Sequence, residues 1–177
     1  MRLPLLAAGI AVAIVAGGPA SAAWKIYNYP ELGVFKEFPA EPKAEDITYK
    51  TPVSGEHKGK KFSVAEDDVD YAMTVVDMPD KIDTSASIMG ECTYNAEVAG
   101  VSVSNMTARV EPGARAVYGR MQSTDIKGKG RSLTACFFNK GRLYIIEALV
   151  RPNNQDFPNS PLAIRFVNSM SFQQPRE

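Results

Sequence analysis

An α+β domain built around an antiparallel sheet is the fold class this sequence predicts, and three observations predict it. Apolar and polar residues alternate at period two in one segment after another between Trp24 and Arg151, the pattern of half-buried strands. The spacing turns helical twice, from Thr84 to Ala99 and from Pro161 onward. No long linker or internal repeat divides this order of strands, helix, strands, helix, so it reads as one domain with helices packed on the sheet.

Composition bounds the function. The chain of 177 residues carries 20 Lys+Arg against 20 Asp+Glu, with 45 % apolar and 23 % charged residues. These ordinary globular proportions exclude a disordered tail, a collagen-like repeat and a polytopic membrane protein. A nucleic-acid partner is disfavoured, because counterion release needs an excess of Lys and Arg. One histidine, His57, and two cysteines, Cys92 and Cys136, leave no material for most histidine triads, zinc sites or cysteine clusters. No catalytic, cofactor-binding or metal-binding residue is assigned, and no cofactor is expected.

The N-terminus predicts the compartment. Met1-Arg2 gives a short positive start, Leu3 to Val15 is almost wholly apolar, and Gly17-Gly18-Pro19 breaks any helix before the small residues Ala20-Ser21-Ala22. This layout predicts a cleavable secretory signal of bacterial type over residues 1–22, with Ala23 as the alternative last residue removed, and a mature domain over 23–177. The apolar run of about 14 residues falls short of the ~20 that span a bilayer, so no membrane span is expected after cleavage. No cysteine lies near the cleavage site to accept a lipid. The expected location is the periplasm or the exterior. Cleavage removes Arg2 and no acid, leaving 19 basic residues against 20 acidic ones. About 155 residues remain, enough to bury roughly 70 % of the unfolded surface around one core.

The elements follow in order. Trp24 to Tyr29 reads as a first strand, Pro30-Glu31-Leu32-Gly33 as a turn, and Val34 to Phe38 as a second strand closed by Pro39 and Pro42. Asp46 to Thr51 alternates Ile47 and Tyr49 with polar residues, and Lys61 to Glu66 puts Phe62 and Val64 on one face. Tyr71 to Met78 is a strand rich in β-branched and aromatic residues. Thr84 to Ala99 then sets Ile88, Cys92, Ala96 and Ala99 on one helix face, with Asp83 or Thr84 as cap and Gly100 as a left-handed terminator. Three or four strands come next, over Val101–Val110, Arg115–Thr124, Arg131–Asn139 and Arg142–Arg151, the last two joined at Asn139-Lys140-Gly141. Leu143 to Val150 is apolar on both faces except for Glu147, as a central strand covered on two sides would be. Ser160 caps a closing helix with Pro161 at its first position, along which Leu162, Phe166 and Met170 recur every four residues.

Both ends of the mature chain carry a resemblance. Tyr29-Pro30-Glu31-Leu32-Gly33-Val34-Phe35-Lys36-Glu37-Phe38-Pro39-Ala40-Glu41-Pro42 resembles the opening strand pair of the PsbP-like/DcrB-like superfamily. Gly141-Arg142-Leu143-Tyr144 with Arg165-Phe166-Val167-Asn168-Ser169-Met170-Ser171-Phe172 resembles its last strand and closing helix. In element order the resemblance spans nearly the whole mature chain. It implies an α/β/α sandwich, with a central antiparallel sheet of about seven to nine strands and two main helices. It also implies an accessory protein without catalysis, since the group includes an extrinsic photosystem subunit and bacterial envelope lipoproteins. The lipid-anchor cysteine of the lipoprotein members is missing here, and no functional residue is carried over.

Among the candidate residues, Cys92 and Cys136 carry most information. Cys92 lies on the helix stripe and Cys136 alternates with Thr134 and Phe138, so both can face one helix–sheet interface. In an exported chain an even pair reads as a disulfide, with two buried free thiols as the alternative. Glu66-Asp67-Asp68-Val69-Asp70, with Asp77, Asp80 and Asp83 nearby, is the candidate for metal or acid–base chemistry, against the plainer reading of a solvated hairpin tip. Lys58-Gly59-Lys60-Lys61 and Lys127-Gly128-Lys129-Gly130-Arg131 read as basic loops that would suit an acidic partner if they cluster. His57 sits in a charged turn, Gly55 to Gly59, where a catalytic base would lack a fixed position. Trp24, Tyr27 and Tyr29 offer a stacking platform or core packing.

The function expected is an exported, non-catalytic binding or accessory module of the bacterial cell envelope, with a protein or small ligand as partner. The alternatives are a carboxylate-dependent envelope hydrolase using acids between Glu66 and Asp83, or an inhibitor of an extracellular enzyme.

Overall fold

Strand pairing sorts the strands into two sheets. The computed structural model describes residues 23–51, 55–78, 85–110 and 117–173, apart from the side chains of 51, 85–89 and 91. The expected signal segment 1–22 lies outside the described residues, as do Asp80, Asp83 and Thr84 and the side chain of Ile88. The elements are β1 (Lys25–Tyr29), β2 (Val34–Phe38), β3 (Lys43–Thr51), β4 (Gly55–Glu66), β5 (Val69–Asp77), α1 (Ser85–Ala99), β6 (Val101–Val110), β7 (Val117–Ile126), β8 (Gly130–Asn139), β9 (Arg142–Val150), α2 (Pro161–Asn168) and β10 (Ser171–Phe172).

A seven-stranded antiparallel sheet runs in the order β3-β4-β5-β9-β8-β7-β6, and β1-β2-β10 form a second, three-stranded one. The large sheet is the expected central antiparallel sheet, and the separate small sheet is an addition that alternation alone did not show. The β1–β2 hairpin is only five residues deep, and Pro39 and Pro42 break the chain before it can join β3. Its free edge is taken instead by β10, where Phe172 lies opposite Val34. The alternating residues Val34 and Phe38 then point at the face of the large sheet and are fully buried there.

β9 is the middle strand of seven, as its two apolar faces predict. Tyr144, Ile146 and Ala148 join Tyr71, Met73 and Val75 of β5 in the main core, under α2 and the small sheet. Phe166 of α2 sits at its centre, with ring centroids 5.0 Å from Tyr71 and 5.2 Å from Phe38. On the opposite face Leu143, Val76 and Cys136 form a smaller cluster with Cys92 of α1. The layers are thus α2 with the small sheet, the large sheet, and α1.

Three local expectations change. The β3–β4 ladder continues to Thr51 opposite Gly55, beyond the last β4–β5 pair of Gly59 and Val76. His57 and Lys58-Gly59-Lys60-Lys61 therefore lie in a strand, not in a turn or loop. Cross-strand contacts hold this arm: Lys50 pairs with Glu56 at 2.7 Å, and Asn95 of α1 donates to the Tyr49 hydroxyl at 2.8 Å. Gly100 ends α1 without entering the left-handed region. Its N–H still bonds the Ala96 carbonyl, and glycine is required because a Cβ would collide with the Asp125 carbonyl. Ser160 precedes α2 as expected, with Pro161 at the first helical position, but its hydroxyl makes no capping bond.

Candidate functional site

α2 has eight residues, too few to cover the sheet from β5 to β6. Beside it a groove of about 300 Å³ remains over β6, β7 and β8. Val103 and Met106 of β6 bound it on the outside, Met121 and Leu133 form its floor, and Ala163 and Ile164 of α2 form the inner wall. Strand alternation puts Met106, Met121 and Leu133 on this side of the sheet. Among the described lining residues Arg131 is the one charged group, and Asp125 holds it through two hydrogen bonds of 2.6 and 2.9 Å. That hydrogen bonding keeps the Asp125 carboxyl below its ordinary range and raises Arg131 further. Ser160 also lines the groove, with its own hydroxyl buried and unpartnered. The surface so formed is mostly apolar, with Ser104, Ser123, Asn159 and Asn168 as further polar residues of the lining. It can hold a hydrocarbon or aromatic body, but it brings no pair of titratable groups together for acid–base work.

A second cleft, of about 620 Å³, lies on the same face at the other flank, between the β1–β2 turn and β3–β5. It is charged and balanced. Lys58, Lys60 and Arg142 face Glu31, Asp46 and Asp77 across it, with Arg142 bound to Asp77 at 2.9 Å and to the Glu31 carbonyl at 2.6 Å.

The two basic segments do not cluster. Lys58 and Lys60 sit near the start of β9, whereas Lys129 shares a shallow hollow with Asp70 and Arg151 beyond its end. The acidic run is a hairpin tip, with Asp67 and Asp68 at φ of 51° and 56° in the left-handed region that a tight two-residue turn requires. Asp70 and Asp77 point to opposite faces of β5, about 23 Å apart along the strand. Each is engaged by an arginine, Asp70 by Arg151 and Asp77 by Arg142. Among the described residues no group of three His, Cys, Asp or Glu is placed to hold a metal ion.

Trp24, Tyr27 and Tyr29 pack as core and edge aromatics against Tyr71, Phe38 and Phe62, with centroids 5.6, 5.9 and 4.4 Å away. Burial pushes the hydroxyls of Tyr29, Tyr71 and Tyr144 upward, so none is set up to ionise. Cys92 and Cys136 are buried and within disulfide distance, their Cα atoms 6.6 Å apart. The groove residues were not singled out by sequence reasoning. Val103, Met106 and Ile164 show as ordinary strand and helix positions, and only the sheet order reveals that nothing described covers them.

The fold is similar to that of a PsbP protein. It matches the solution structure of cyanobacterial PsbP (CyanoP) from Synechocystis sp. PCC 6803 with a TM-score of 0.53 at 13 % identity, covering 89 % of this chain and 96 % of that one. A protein of unknown function from Pseudomonas aeruginosa, PA94, matches with a TM-score of 0.40 at 11 % identity over 87 % and 98 % of the two chains. No protein-family model matches the sequence, and no curated protein matches it. The described helices include none long and apolar enough to cross a membrane.

Proposed function

We propose that this chain is a non-catalytic accessory module working outside the cytoplasm, and that its groove beside α2 takes an apolar ligand or an apolar segment of an envelope protein. The observation that carries this reading is the groove itself: walls of Val, Met, Leu and Ile, with its single charged group already neutralised by Asp125. A PsbP-like fold suits an accessory role. A disulfide between Cys92 and Cys136 and a cleaved segment 1–22 belong to the same proposal, and the pair's bonding distance supports it. The carboxylate-hydrolase alternative draws no support from Asp70 and Asp77, which face apart.

The test is titration of the purified protein with a neutral naphthylamine fluorophore. The emission should rise and saturate at one site, and Ile164→Asp should weaken binding at least about tenfold by placing a charge in the apolar wall. Absence of saturable binding, or binding indifferent to Ile164→Asp, overturns the groove as the site. Intact-mass measurement of the protein recovered from the envelope checks export. It should begin at Ala23, and an unprocessed chain confined to the cytoplasm would refute that part.

A further inference from the structure

We propose that β6 is a docking edge for a second copy of this chain, the two β6 strands pairing antiparallel about a two-fold axis and joining the two seven-stranded sheets into one. β3 and β6 are the outer strands of the large sheet. β3 is guarded by Lys43, Glu45, Asp46 and Lys50, four charges in nine residues, a usual defence of an open edge. β6 has ten residues, no proline and one charge, Arg109. Its outward N–H and C=O groups have no strand partner among the described residues, so what pairs there is an extended backbone. Exposed apolar side chains stand among the polar ones at this edge, with Val98 of α1 at 68 % and Val101 at 72 %.

The charge pattern of β6 admits a second copy as the occupant. A two-fold axis perpendicular to a sheet brings like faces together and sets each strand against its own sequence. A strand carrying several like charges would repel its copy, as would a strand with a charge near the axis. In β6 the bulge at Ser102/Ser104 leaves the following residues as the regular stretch. Centring the axis at Met106 sets Ser104 opposite Ala108 and Met106 opposite its counterpart. The two Arg109 side chains then fall about 20 Å apart, beyond the screening length. The pairing also completes the groove, whose outer wall of Val103 and Met106 is half-exposed in one copy. This inference stands whether or not the groove binds an apolar ligand.

Sedimentation and amide hydrogen exchange of the purified protein between about 5 µM and about 500 µM test it together. The expected result is a concentration-dependent dimer in which the outward β6 amides exchange about tenfold more slowly at the high concentration. Met106→Lys should leave a folded monomer with unslowed β6 exchange, and Ile26→Lys, on the exposed part of β1, should leave the dimer intact. A monomer throughout, a dimer with unchanged β6 exchange, or a monomer whose β6 is protected only by a foreign peptide each overturns the proposal.

Discussion

The ammonium of Lys36 in β2 is fully buried against the last turn of α2, where it donates to the Phe166 carbonyl. It also donates to the Ser169 hydroxyl at 2.6 Å and lies 3.8 Å from the Phe166 ring centroid. The end of a helix leaves carbonyls unbonded and partly negative, which gives this lysine a partner inside the core. Burial lowers its affinity for the proton well below the ordinary value, against a smaller upward pull from Glu37.

That relationship predicts a pH dependence with a definite sign. The unfolded chain holds the Lys36 proton more tightly than the folded protein, so stability increases with pH between the lowered value and the ordinary one, near 10.5. As pH falls through the lowered value this contribution is lost. Lys36→Met keeps the aliphatic stem and leaves the Ser169 hydroxyl donating to the Phe166 carbonyl at 2.8 Å. Urea denaturation at about pH 7 and about pH 10 should show a flatter rise for Lys36→Met than for the native protein. Equal slopes would refute the assignment.

Cys92 and Cys136, separated by 44 residues, are expected to be oxidised in the exported protein. Non-reducing mass spectrometry should then find no alkylatable thiol. Replacing both cysteines with serine should cost up to about 4 kcal/mol on the chain-entropy account. The loosening should centre on α1, because the bond ties that helix to β8. Faster amide exchange in α1 with unchanged exchange in β1 and β2 is the expected pattern.

Ser160 and Gln122 should behave opposite to their usual roles. A serine before a helix that bonds the first turn loses about 1 kcal/mol on change to alanine. Here the hydroxyl is buried and unbonded, so Ser160→Ala should be neutral or stabilise by about 1 kcal/mol. Gln122, buried on the α1 side of β7, has neither amide atom bonded. Gln122→Leu should raise the thermal midpoint, by about 1–2 kcal/mol in stability. A clear loss in either variant would show that a bound water or partner satisfies the group.

Asp125 and Arg131 make a partly exposed pair, so their effect should be small. The hydrogen bonds from Arg131 lower the Asp125 pKa, and the associated stability is present above the ordinary carboxylate range and lost as pH falls through the lowered value. Asp125→Asn should cost less than about 1 kcal/mol near neutral pH, and the difference should vanish in acid. Chemical denaturation across that range checks it.

Strand positions were legible because they depend on neighbours in sequence. Period-two alternation located β2, β6 and β9 to within a residue, and the Asp67-Asp68 and Lys140-Gly141 turns followed from local backbone preference. β10 escaped because two residues carry no periodicity. The groove escaped because Val103, Met106 and Ile164 differ in no local respect from covered residues. The stretch from Glu56 to Lys61 was misread because its glycine and lysines imitate a turn, whereas the β3 ladder holds it as a strand.

By itself the sequence determined which segments extend and which coil, where the main turns fall, and that Cys92 and Cys136 could share an interface. Side-chain alternation encodes those facts within a few residues of each position. Only the tertiary structure decided that β1 and β2 leave the main sheet, that Lys36 ends inside the core, and that β6 stands open at an edge beside an apolar groove. Alternation states which residues share a face. It does not state which strand lies alongside, because that choice is made by contacts far apart in the chain.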